Sequence, residues 1–323
     1  MVKLFDKKSK TKEKQSMIST EEAHRIWVKT QTRYMFIENI QLFSNFVHDI
    51  DFKIFLKKLQ QKYQNHVDVL EKELTRYSIK SPEPNKTDVE VIANTEIISD
   101  KQIARIIYSF AQLALNNCMK TLNNTIYNDN IREIMIKIAK DEVNIYYEVV
   151  DYFKLKGWLA FPPLYPNAKE NIMVAANEIW ELWQHLKYRY INVHQTKIYI
   201  SKVANKDFQL VLTAGIKILE NQIKEIENHL LNFGVKLPSK YPENIPEPKT
   251  KQLYDDEFIF QSLLHQMRNA TTIHGFALQE LIVNNELRNL FKKMLLDEIN
   301  IIDKLIRYGK LKGWIENVPV YRS

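Results

Sequence analysis

Two sets of four ligand-capable side chains sit on helical stripes that are otherwise apolar. They are Glu38, His66, Cys118 and Glu142, and, at the same positions displaced by 156 residues, His194, Gln222, His274 and Glu298. Glu38 and His194 follow Trp27/Tyr34 and Trp183/Tyr190; His66 lies between Leu59 and Leu70, Cys118 between Ala111 and Leu122, and Glu142 between Met135 and Val149. Spacings of four, seven and eleven residues place each on the same helix face as its apolar neighbours. Imidazole and carboxylate together suit zinc, iron or manganese, so one chemistry on offer is a single metal ion per bundle. The other is a buried hydrogen-bond network. A carboxylate on a core stripe must be paired, protonated or metal-bound, because desolvating it costs several kcal/mol. In that reading Glu142 meets His66 or Tyr34, and Glu298 meets His194, His274 or Tyr190. The mismatch between the copies and the weak ligand Gln222 favour the network, with Cys118 a small core residue.

Other chemistries find no support in residue spacing. A di-iron centre needs a Glu from each of two helices and Glu-x-x-His from each of two others. Here Tyr63 precedes His66, Leu219 precedes Gln222, and Glu142 and Glu298 are followed at the third residue by Ile145 and Ile301. There is no His-Glu-x-x-His helix, glycine-rich phosphate loop, Cys-x-x-Cys pair or serine-nucleophile elbow, so an enzymatic role is not expected. His24, His48, His185, His229 and His265 read as surface or rim residues. Arg33/Arg189 and Arg132/Arg288 read as structural ion pairs, and Trp27, Trp158, Trp183 and Trp314 as core or end-capping anchors.

The elements that must position these residues follow from an internal duplication. Trp27, Arg33 and Tyr34 return as Trp183, Arg189 and Tyr190, Asp141-Glu142 as Asp297-Glu298, and Lys154-Leu-Lys-Gly157-Trp158 as Lys310-Leu-Lys-Gly313-Trp314, without a gap. A repeat of that length is an independently folding domain, not a solenoid unit. Six glycines in 323 residues, prolines confined mostly to a few clusters and apolar residues at three-and-four spacing predict an all-α chain. Each repeat reads as four helices. The first runs from Ser19-Thr-Glu-Glu22, a capping-box spacing, to about Val47; its counterpart starts near Asn177. The second spans about Asp51 to Tyr77 and Asp207 to Phe233, with Gly234 as a cap. A connection of about 17 residues follows, Pro82 to Ile98 and Pro238 to Tyr254, long enough to cross a bundle. The third helix starts near Asp100 and Asp256, a turn lies at Asn128-Asp-Asn130, and the fourth ends at Gly157-Trp158 and Gly313-Trp314. Short, long, short is the connection pattern of a ferritin-like bundle. The expected organisation is a basic tail over 1–18, one bundle over 19–161, a proline-rich linker over 162–176 and a second bundle over 177–323.

Asn177-Glu-Ile-Trp180, Leu237-Pro238 with its proline-rich crossover, Leu253-Tyr-Asp255-Asp256 and the closing Lys-Gly-Trp resemble domain-of-unknown-function family 3231 of endospore-forming bacteria. That resemblance implies a tandem ferritin-like protein and carries no established activity; by analogy with helical spore-coat proteins it implies a sporulation or stress role. Of the net charge of +7, four units fall in the lysine-rich stretch before Met17, a solvated end with weak affinity for nucleic acid or anionic surfaces. No run approaches membrane-spanning length, no secretory leader is visible, and a single cysteine fits a reducing compartment, so a cytoplasmic or spore-associated location is expected. The partners expected are further copies of the chain or another protein. Cofactors are confined to the iron, zinc or manganese reading.

Overall fold

The computed structural model describes residues 17–83, 99–159, 164–165, 173–240, 255–315 and 320–321. The expectations for the basic tail before residue 17, the long crossovers and most of the proline-rich linker lie outside these residues. The described chain is all-helical, with eight helices and no named strand. They are α1 (Thr20–Ser44), α2 (Ile50–Arg76), α3 (Asp100–Asn123), α4 (Asp129–Leu155), α5 (Ala176–Lys202), α6 (Lys206–Asn232), α7 (Asp256–Glu280) and α8 (Asn285–Lys312). The chain divides into two compact units, residues 1–159 with 316–323, and residues 160–315. In the first, α1 packs along α2 and α3 along α4, with α1 also touching α3 and α2 touching α4; in the second, α5 packs along α6, α7 along α8, and α5 touches α7.

Local chemistry explains the starts and stops. Ser19, Asp49, Ser99, Asn128, Asn205, Asp255 and Asn284 each cap a helix by accepting a backbone N–H on the side chain, satisfying donors that have no partner inside the first turn. Ala175, ahead of α5, has no such oxygen; its own N–H instead donates to Glu178 at 2.9 Å. Gly157, Gly234 and Gly313 take positive φ just beyond their helices, a conformation costly for any residue with a Cβ. The first helix ends at Ser44, three residues short of the expected Val47, because Asp49 already caps α2.

Buried carboxylates tie the ends of each unit together. Glu22 completes the Ser19 capping box with one oxygen and with the other accepts the N–H groups of Tyr127 and Asn128, at 2.8 and 2.9 Å, in the α3–α4 turn. Glu178 repeats this on Val283 and Asn284 at 2.8 and 2.9 Å. At the other turn, Asp100 accepts from the N–H groups of His48 and Asp49, and Asp256 from those of Ala204 and Asn205. Trp27 and Trp183 each donate their indole N–H to a carbonyl after the second helix, Lys80 and Lys236, at 3.1 Å.

The last described residues return to the first unit. Val320 forms an isolated bridge with Ser19, and the N–H of Tyr321 donates to Ile18 at 2.7 Å, so this segment groups with the first unit. Leu164 pairs with Ala175 in the same way in the second unit. The cores also differ by compensating volumes. Phe260 lies where a Cβ on Gly309 would come within 2.0 Å of its ring, while the equivalent positions in the first unit are Ala104 and Phe153.

Removing the Glu22 carboxylate strands three buried or half-buried N–H groups. Glu22→Ala, and separately Glu178→Ala, should each lower unfolding stability by about 3 kcal/mol in urea titrations, with surface Glu21→Ala near zero.

Candidate functional site

In the middle of each unit an arginine is buried among apolar and a few charged side chains, and the site is built around it. Arg33 lies on the buried stripe of α1 with Ile26, Lys29, Ile37 and Ile40. Its guanidinium forms an ion pair with Glu142 of α4, both side chains wholly buried. The other oxygen of Glu142 accepts from the hydroxyl of Tyr63 at 3.3 Å, and the His66 ring places Nδ1 3.9 Å from Glu142 while its Nε2 lies 2.7 Å from Asp141. The rings of Tyr63 and Phe36 face the guanidinium carbon at 4.8 and 5.6 Å. Lys29 is buried beside Cys118 and Arg33. Burial pushes Lys29 below its ordinary range, helped by Arg33, and pushes the Cys118 thiol up. The hydrogen bond from His66 holds Asp141 below the usual carboxylate range.

Equivalent positions in the second unit are wired differently. Arg189 donates not to Glu298 but to Nε2 of His274 at 2.6 Å. His274 replaces Cys118 and, being longer, reaches the guanidinium. Leu219 and Gln222 replace Tyr63 and His66, removing the donors that held the acid in the first unit. Burial raises Glu298 to about 7, opposed by the nearby Arg189 charge. His185, which replaces Lys29, is stacked on His274 with ring centroids 5.3 Å apart, and its Nδ1 donates to the Glu181 carbonyl at 2.8 Å. Burial and Arg189 press both imidazoles toward the neutral form, His185 to about 3. A cavity of about 130 Å³ opens here, bounded by His185, Arg189, Asn192, Gln266, Asn269 and His274.

Of the residues singled out by sequence, the structure gathers His66, Cys118 and Glu142 around Arg33, and His274 and Glu298 around Arg189. Gln222 is buried, whereas Glu38 and His194 are only half-buried. The tyrosines expected to meet the core acids point elsewhere: Tyr34 donates to Glu71, and Tyr190 to Glu227 at 2.6 Å. His185 is not a rim residue but is 1% exposed. Lys29 and His185 were missed, although both lie one turn before the arginine, a signal present in the 156-residue register. Among the described residues no three His, Cys, Asp or Glu side chains converge as a metal cluster. Nor does the donor set fit a divalent cation, since Glu142 and His274 are each hydrogen-bonded by a cationic guanidinium.

The fold is that of a duplicated four-helix unit, and the comparisons name the group to which it belongs. Residues 6–171 and 167–323 each match the family described as "Protein of unknown function (DUF3231)". The chain belongs to that family and carries it twice. A solved structure of a "putative spore coat protein" from Bacillus halodurans C-125 is 21% identical, with 46% of this chain and 96% of that one covered at a TM-score of 0.43. No curated protein matches. No described helix is long and apolar enough to cross a membrane.

Breaking the buried pair from one side should be costly. Arg33→Met or Glu142→Leu alone should each cost about 3–5 kcal/mol, and Arg33→Met/Glu142→Leu clearly less than their sum. A matching cycle on Arg189 and Glu298 should show weaker coupling, there being no hydrogen bond between them. The Glu298 carboxyl, raised in the fold from 4.5 to about 7, contributes stability that is full below pH 4.5 and lost as pH rises through 7. Wild type minus Glu298→Gln, which cancels Glu181 and the histidines, should therefore fall by roughly 3 kcal/mol across that window in pH-dependent unfolding.

Proposed function

We propose that the protein is a noncatalytic pair of ferritin-like four-helix bundles whose role is assembly, in a spore-associated or stress-protective setting. The supporting observation is a set of exposed apolar side chains kept in register by both repeats. Leu155 and Leu311 close the fourth helices at 82% and 86% exposed, and Ile54 and Leu210 stand on the second helices at 51% and 70%. These residues lie near the end where Phe52 packs on Trp158 and Phe208 on Trp314. Large apolar groups left in water at matching places in both copies are what an association surface requires. The bundle interiors support the same reading, because in the first unit Glu142 is already engaged by Arg33 and Tyr63. The spore-associated setting comes from the description of the Bacillus halodurans protein and from nothing in the site.

Sedimentation of the full chain over a wide concentration range tests the assembly. Self-association should weaken by about ten-fold in Leu155→Glu/Leu311→Glu, without change in unfolding stability because both positions are exposed. A monomer at every concentration, alone in native extracts, would count against it. The alternative reading, one metal ion per bundle on the glutamate and histidine positions, predicts near-stoichiometric iron, zinc or manganese in protein purified without a tag or chelator. That metal would be lost in Glu142→Gln/Glu298→Gln. The assembly reading predicts no stoichiometric metal and no stabilisation on reconstitution.

A further inference from the structure

Matched position by position, the two repeats differ in what covers the buried arginine. In the first unit Phe36 stacks on Phe110, with centroids 5.4 Å apart, and Phe36 is fully buried against the Arg33 guanidinium. The residues at the same positions in the second unit are Asn192 and Gln266, and Asn269 stands where the first has Leu113. Two aromatic rings and a leucine have become three carboxamides, and the cavity of about 130 Å³ lies among them. Asn192 and Gln266 are half-buried and Asn269 is exposed, so the carboxamides border an opening where the first unit has rings packed on its arginine.

Gln266 and Asn269 hydrogen-bond Tyr199 and His265, but Arg189 Nε and His274 Nδ1 on the same wall have no partner. Arg189 is 2% exposed, and it is hydrogen-bonded to the neutral His274 where Arg33 has a carboxylate. Glu298, the nearby acid, makes no hydrogen bond to it among the described residues. Because Nε2 of His274 accepts from Arg189, its proton sits on Nδ1, a buried donor with no partner. A buried cation and a buried donor on one cavity wall favour a negative charge. A divalent cation is disfavoured in the same place by the guanidinium.

We propose that the second unit binds a small oxyanion, a carboxylate or a phosphate, in this cavity, with Arg189 as its charge partner and Asn192, Gln266 and Asn269 as hydrogen-bonding groups. The volume has room for an anion of lactate or phosphate size. Tyr188 and Asn269 are exposed and lie on the cavity's rim, giving the ligand a route in. At the equivalent place in the first unit Phe36 and Phe110 stand where the carboxamides do, and Glu142 already serves as the anion.

Isothermal titration of the full chain with sodium phosphate, sodium lactate and sodium acetate, against sodium chloride at equal ionic strength, tests this directly. We expect saturable binding of one oxyanion per chain, and the ranking of the three separates phosphate from carboxylate. Asn192→Phe/Gln266→Phe, which restores the aromatic pair of the first unit, should weaken binding by at least about ten-fold. Asn269→Leu, on the exposed rim, should weaken binding less and keeps the test valid if the double variant folds poorly. No saturable binding beyond chloride, or equal affinity in both variants, would overturn the proposal. So would stoichiometric zinc uptake that depends on His274. None of these results bears on assembly, which is read by sedimentation of the leucine variants.

Discussion

A guanidinium cannot be buried among aliphatic side chains without something to answer its charge. Arg33 and Arg189 impose that condition at the centre of each unit, and the surrounding helices are arranged around the two answers. In the first unit the answer is internal. Glu142 crosses from α4, Tyr63 donates to it, and aromatic faces close over the guanidinium, so the helices bearing these groups are held in one register. In the second unit the acid stands back, His274 accepts from the arginine, and the interior retains a cavity. Duplication permits this divergence, because one copy can pair its arginine with a carboxylate under aromatic cover while the other carries carboxamides in that place.

The ends of each unit are far less tolerant. Glu22 and Glu178 occupy equivalent places and accept equivalent backbone N–H groups, as do Asp100 and Asp256. Each carboxylate serves turns that carry no ladder of hydrogen bonds of their own, and no apolar residue could do the same. The duplication has therefore preserved the polar joints and varied the middle. Such a unit can change what its interior holds without changing how its helices are connected.

Much of the fold was legible because its signals are local. Ser19 with Glu22, the asparagines and aspartates before five of the eight helices, and Gly234 after the sixth announce boundaries through local hydrogen bonds. The register of 156 residues made each reading testable against its copy. Less of the candidate site was legible. Glu142, His66 and Cys118 could be placed on a buried stripe, yet nothing in their spacing said that Arg33 would reach Glu142 while Tyr34 turned to Glu71. His185 looked like any helix-surface histidine until α7 brought His274 against it.

Periodicity, capping chemistry and the repeat are written in neighbouring residues, so the chain alone determined an all-helical, duplicated architecture and its membership of a two-copy family pattern. Which buried charge meets which partner depends on side-chain reach between helices far apart in sequence. A cysteine exchanged for a histidine, or a phenylalanine for an asparagine, looks minor along the chain. In three dimensions those exchanges move the arginine from a carboxylate to an imidazole and turn a packed aromatic pair into a cavity, because interior space and charge must be balanced across helices that only folding brings together.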